Sequence, residues 1–382
     1  MNNTIRFFKE IASIPRESGN EEGIANYLVQ FAKARNLSYV KDQYNNVLIK
    51  KENNDLPCLI LQAHTDMVCV SDDEQFDFVK EPIEVLEKDG YLYANHTTLG
   101  ADNGIGVAQI LNLLDSDIPC NIEAVFTTSE ETTMVGAINF DTNLLTGKYL
   151  LNLDGFDENT ILTESAAYYD LVMKKIDLTR KKSTKKYAYA ISLTGLFGGH
   201  SGYDLLKNRG NAILLIAQFL KTLDGDLASI TSGTKNNVFP SSAKAIIWTD
   251  IEHIQNYIEE FLSKYHELYP SLTLNYELIN HDGECFLDTA EFLDFLACFP
   301  SRALHYNLNH LVTTSINLGV IQDGYLEIGL RSSRKEEASK ALLDLEEYAK
   351  EYGFVLKEEG YQPGFYSDAN CQMIQLLQDT CS

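Results

Sequence analysis

His64 and Asp66 stand two residues apart, Asp102 lies between Gly100 and Gly104, Glu130 and Glu131 are adjacent, and Asp154 closes the series. Imidazole with carboxylates is a donor set for a divalent cation: zinc first, with manganese or cobalt also suited. In an extended segment residues i and i+2 point the same way. His64 and Asp66 therefore face one pocket, His64 as ligand and Asp66 orienting it from behind. Asp102 sits in a glycine-bounded turn before a helix, where free N–H groups favour a carboxylate. A carboxylate there can bridge two cations, which two-metal hydrolases hold about 3.5–4 Å apart. Adjacent glutamates diverge if extended, so one is free to bind metal while the other handles protons. Asp154 offers a further oxygen. Each feature alone has an ordinary reading: a loop histidine, a helix cap, an exposed acidic pair. Their common placement after apolar runs gives them weight together.

Those runs are the elements that must position the site. Leu59–Leu61 leads into His64, Ile122–Thr127 into Glu130, and Tyr149–Leu153 into Asp154, each reading as a strand. Val47–Lys50 is a further short strand. A helix follows Asp102, from Asn103 to about Leu114. Ser18 and Glu21 have capping-box spacing before an amphipathic helix marked by Ile24, Tyr27, Leu28 and Phe31. Alternating strand and helix predicts an α/β fold built on an open, mostly parallel sheet, with ligands beyond the carboxyl ends of its strands.

The pattern changes after about Ser165. A basic run, Arg180–Lys186, reads as a solvated loop or edge. Tyr187–Leu193 is strand-like, Asn211–Leu223 helical, and Ser333 with Glu336 forms a second capping-box pattern before another helix. This predicts an inserted α+β domain over 167–356, with 1–166 and 357–382 forming the site-bearing domain. At 382 residues, two domains are the starting expectation. The net charge of −24 argues against a nucleic-acid partner, because phosphate binding needs a basic face. No apolar run is long enough for a membrane span, and the N-terminus lacks a signal-peptide h-region. Seven scattered cysteines without a C-x-x-C pair resemble neither a disulfide framework nor a thiolate zinc site. A cytoplasmic, soluble protein is the expectation.

His64-Thr65-Asp66-Met67-Val68, Thr97-Thr98-Leu99-Gly100-Ala101-Asp102-Asn103-Gly104-Ile105-Gly106, Thr128-Ser129-Glu130-Glu131 and Leu151-Asn152-Leu153-Asp154 together resemble the M20 metallopeptidases. The second string looks like the aminoacyl-histidine dipeptidase branch. The resemblance continues through Phe197–Gly202, Asn237–Pro240, Leu330–Ser332 and Tyr361–Phe365, nearly the whole chain. It implies an inserted lid domain and hydrolysis of Xaa-His dipeptides. His64, Asp102 and Asp154 would hold one zinc, and Asp102 would bridge to a second also held by Glu131. Glu130 would be the general base and Asp66 would support His64. On the lid, His200 would stabilise the oxyanion, and Asn237 and Arg331 would bind the substrate's C-terminal side, where a guanidinium suits a carboxylate. The implied partner is a small peptide, and a homodimer is compatible with the family.

The sequence departs from the family at its C-terminal end. There the family has a further segment with a histidine that ligates the second metal. Here no histidine follows His310, so the Glu131 side is expected to lack its imidazole. A metal- or peptide-binding relative with impaired turnover is the alternative. A broader di- or tripeptidase, or a deacylase of the same superfamily, is another.

Overall fold

The computed structural model describes residues 3–52, 56–155, 160–368 and 370–381. The chain forms two compact units, Met1–Thr160 with Gln375–Ser382, and Ile161–Ile374.

In the first unit the helices are α1 (Asn3–Ala12), α2 (Glu22–Ala34), α3 (Ala101–Asp115) and α4 (Val135–Asn139). The strands are β1 (Ser38–Lys41), β2 (Val47–Lys51), β3 (Cys58–His64), β4 (Val85–Lys88), β5 (Tyr91–Ala94), β6 (Asn121–Thr127) and β7 (Tyr149–Asn152). Five of them form a sheet in the order β1-β2-β6-β3-β7. β3 runs parallel to both β6 and β7, while β1, β2 and β6 are joined antiparallel. The parallel part carries the site.

Strands covered on both faces read as continuous apolar runs, and β6 is buried from Ile122 to Thr127. Leu61, Ala63, Ala124 and Phe126 pack with Phe7, Phe8, Leu28, Val107 and Leu111 of the helices. Ile60 and Val125 belong to a second cluster with Leu48, against Phe140, Leu144 and Leu145. Each such side chain contributes about 1.5–3 kcal/mol on full burial, so the register of β6–β3–β7 is strongly fixed. That register aligns three carboxyl ends: β3 ends on His64, β6 ends three residues before Glu130, and β7 ends two before Asp154.

The second unit has strands β8 (Ala167–Lys175), β9 (Arg180–Lys182), β10 (Tyr187–Thr194), β11 (Asp226–Ser232), β12 (Ala243–Thr249), β13 (Thr273–Ile279), β14 (Glu284–Phe286), β15 (Arg302–Tyr306), β16 (Val312–Gln322), β17 (Tyr325–Ser332) and β18 (Phe354–Gln362). Its helices are α5 (Ala212–Lys221), α6 (Gln255–Tyr265), α7 (Thr289–Cys298) and α8 (Lys335–Glu351), and α9 (Gln372–Cys381) follows. The main sheet runs β13-β10-β12-β11-β16-β17-β8-β18, with β15 beside β16. Its pairings are antiparallel. The basic run forms β9, an edge paired with β14. β18 pairs with β8 as far as Gln362 opposite Tyr168, so this unit extends past residue 356, where the sequence pattern closes the inserted domain. Among the described residues, no helix is long and apolar enough to cross a membrane.

Neither capping box forms. α2 starts at Glu22 without a side-chain cap, because Ser18 and Glu21 are drawn to other partners. α8 starts at Lys335 after Arg334, also without one; Glu337, rather than Glu336, takes the Thr313 and Thr314 hydroxyls at 2.7 and 2.6 Å. Charge-assisted bonds to buried donors are stronger than bonds at an exposed cap. α5 does have its cap, the Asn211 side chain accepting from Ile213 and Leu214 N–H.

Candidate active site

His64 closes β3 with its ring almost fully buried. Its Nδ1 lies 3.2 Å from the Asp66 carbonyl oxygen and 3.3 Å from Asp66 Oδ1. Both are acceptors only, so Nδ1 carries a proton and Nε2 is the nitrogen that faces outward. Around Nε2 stand Asp102 Oδ1 at 3.1 Å, Asp154 Oδ2 at 3.6 Å and Glu130 Oε2 at 3.8 Å. In two groups, one ligand atom from each residue lies within 4.8 Å of those of the others: His64 with Asp102 and Asp154, and His64 with Glu130 and Glu131. Tertiary structure thus brings together the five residues His64, Asp102, Glu130, Glu131 and Asp154. His64 is the only histidine in either group among the described residues.

Carboxylates packed this closely repel one another unless positive charge lies between them. Burial by itself lowers the His64 pKa, but the bonded Asp66 and the charges of Glu130 and Asp154 outweigh it and hold the imidazolium up to about 9. Burial raises Glu130, Glu131 and Asp154, and mutual repulsion adds to it, from Asp154 and Glu131 on Glu130 and from Asp102 on the other two. A divalent cation would supply the same positive charge that the proton supplies here. The donor set therefore fits a metal, with His64, Asp102 and Asp154 around one position and Glu131 available to another.

Asp66 is fully buried behind His64, on the Nδ1 side of the ring. Its carboxylate accepts from Ser18 Oγ at 2.7 Å, Glu130 N–H at 3.0 Å and Glu131 N–H at 3.1 Å. Burial raises its pKa, but these bonds and His64 win and hold it down at about 2. Asp66 thus fixes the imidazole and the glutamate turn together. Glu130 and Glu131 do not diverge as an extended pair would: the chain turns at the left-handed Ser129 before them (φ 56°), and one oxygen of each joins the His64 group.

Asp102 lies where α3 begins. Gly100 takes a left-handed φ of 66°, Asp102 and Asn103 leave helical geometry, and a cis peptide joins them. Arg16, which carried no signal in the sequence, holds this corner. It is 2% exposed, and Nη1 donates to the Thr65 and Asp66 carbonyls at 2.9 and 3.0 Å while Nη2 donates to Gly100 O. Desolvation lowers its pKa to about 10 against the raising charges of Asp66 and Asp102, still protonated near neutrality. Ser18 was equally hidden, since its spacing to Glu21 mimics a cap. An arginine in a short polar stretch looks like surface until the fold buries it.

In the second unit His200, Asn237 and Arg331 also come together. His200 Nδ1 accepts from Gly202 and Tyr203 N–H at 3.3 and 3.1 Å. In the neutral ring Nε2 must then carry the hydrogen. Arg331 Nη2 lies 3.2 Å from that Nε2, so two donors face the same space. Burial, then Arg331, lowers the His200 pKa. The Arg331 guanidinium stacks on Tyr168 at 4.5 Å from the ring centre. Ser201 N–H donates to the Asn237 backbone carbonyl at 2.8 Å. Arg331 Nε and Asn237 Oδ1 are buried without a partner within the protein. The open Arg331 Nε–H, beside the His200 donor, suits a carboxylate or another oxyanion, while Asn237 Oδ1 is an open acceptor.

No family model matches the chain. It is 30% identical to the cytosol non-specific dipeptidase of Escherichia coli (strain K12), over 98% of this chain and 82% of that protein. The crystal structure of aminoacylhistidine dipeptidase from Vibrio alginolyticus superposes with a TM-score of 0.84 at 30% identity, covering 99% of this chain and 82% of that one. A tripeptidase from Staphylococcus aureus shares the fold at a TM-score of 0.51 and 17% identity, over 99% and 80% of the two chains.

Proposed function

The chain belongs to the M20 metallopeptidases, in the aminoacyl-histidine dipeptidase branch, and from that premise we propose that it hydrolyses dipeptides, Xaa-His among them, at the His64 cluster. The observation that carries this reading is the outward Nε2 of His64 within 4 Å of three carboxylates. His64, Asp102 and Asp154 would hold one zinc, and Asp102 and Glu131 a second, with manganese or cobalt as alternatives. When bound, such a cation supplies Lewis acidity that makes hydroxide accessible near neutral pH.

Glu130 is the general base. It takes a proton from the attacking water and returns it to the leaving amine. Its raised pKa favours that return, because an acid is most useful when its pKa nears the working pH. Asp66 keeps the His64 tautomer and the glutamate turn in place. In the second unit Arg331 and Asn237 would bind a peptide carboxylate, and neutral His200 would donate its Nε2–H to an oxyanion. The name of the Escherichia coli relative supports a cytosolic setting.

The test is hydrolysis of Ala-His, Ala-Leu and an N-acylated amino acid with added zinc, manganese or cobalt, beside Glu130→Gln. We expect Ala-His cleavage, reduced about 100- to 10,000-fold in the variant, the usual range for a lost general base. A folded wild type that binds zinc without cleaving any of the three would overturn the assignment in favour of an impaired relative.

A further inference from the structure

Three successive N–H groups at the glutamate turn are held by carboxylates distant in sequence. Asp66 takes those of Glu130 and Glu131. The third belongs to Ser129 and goes to Glu21, whose Oε1 accepts both the Ser129 N–H and the Ser129 hydroxyl at 2.9 Å each. Glu21 is 3% exposed and Ser129 8%. Ser129 occupies the left-handed well, which strains a residue with a side chain unless its surroundings hold it there. The paired bonds to one buried carboxylate provide that hold. Because of the turn, Glu130 and Glu131 both bring an oxygen to the His64 cluster.

We propose that Glu21 is a positioning residue of the site, setting the aim of Glu130 and Glu131 through Ser129. This rests on the reading of Glu130 as base and Glu131 as ligand, and adds what directs them. Glu21 touches neither donor group and acts as an acceptor, not through its charge. Losing it lets Ser129 relax, and both glutamates swing with it.

The experiment compares wild type, Glu21→Ala and Glu21→Gln, with Glu130→Gln as control. It measures kcat and KM for Ala-His, and zinc affinity by competition with a chromophoric chelator. Glu21→Ala should lower kcat and zinc affinity by about 10- to 100-fold each, the usual cost of losing a support behind a ligand, with KM little changed. Glu21→Gln, whose amide oxygen accepts the same two bonds, should restore most of both and leave the pH profile of kcat in place. Wild-type kcat and zinc affinity in Glu21→Ala overturn the proposal. So does a Glu21→Gln as impaired as the alanine, since charge would then be what matters. If Glu21→Ala does not fold, Ser129→Ala decides: lower kcat at unchanged KM supports the proposal, and unchanged kcat overturns it. Full activity in Glu130→Gln would remove the base assignment alone, because zinc affinity reads the Glu21 effect independently.

Discussion

At the scale of single residues, His64 is the centre of the site's electrostatics, and its charge state should be visible in stability. Its folded pKa, about 9, lies above the ordinary 6.5. A raised folded pKa gives stability that is present below 6.5 and lost as pH rises through 9. Glu130, Glu131 and Asp154 are also raised and act with the same sign. Asp66 acts oppositely: held at about 2 against an ordinary 3.8, it contributes above 3.8 and loses that as pH falls through 2. The melting temperature of chelator-treated protein should therefore decline between pH 6.5 and 9. Zinc must displace the His64 proton, so the rise in melting temperature on adding zinc should grow over the same interval. A flat melting temperature across that range, with and without zinc, would remove the imidazole from the centre of the cluster.

At the scale of elements, the strands deliver His64, Glu130 and Asp154 to one side of the sheet, but turns aim them. The turn before α3 depends on Gly100. Its left-handed φ strains any other residue, and a Cβ there would run into the Arg16 guanidinium and the Met67 thioether. Gly100→Ala should cost about 1–3 kcal/mol from backbone strain, with more from disturbing a buried cation. Denaturant unfolding should show a lower midpoint, and zinc affinity should fall with it, because Asp102 is two residues away. An unchanged midpoint would mean that Arg16 is free to retreat and is not the brace it resembles. Ser18 and Glu21 make the related point that a capping pattern is a local preference. Buried donors elsewhere in the fold outbid it.

At the scale of the molecule, each unit has its own core, one around Phe8, Leu28, Leu61 and Phe126, the other around Leu171, Ile216, Leu227 and Ile328. Separate cores allow separate unfolding. Calorimetry should resolve two transitions, with zinc raising the one that belongs to the first unit. At a free concentration about 100 times Kd the gain is about 2.7 kcal/mol. Zinc raising both transitions equally would show the units to be one cooperative body. The net charge of −24 adds self-repulsion that salt screens, so these scans are best compared at one ionic strength.

The sequence by itself determined the strand–helix alternation, the strands before His64, Glu130 and Asp154, and, through strings such as Thr97–Gly106, the family. These are local facts: periodicity is set by burial, and a motif keeps its residue types wherever the chain goes. Only the tertiary structure decided that Glu130 and Glu131 point to the same place, that the Asp66 carboxylate bonds the glutamate turn, and that Arg16 and Glu21 are buried. It also decided that His200 and Arg331 present donors to one space. The physical reason is that a charged side chain takes whichever partner the fold brings near once water is excluded. No spacing along the chain specifies which partner that will be.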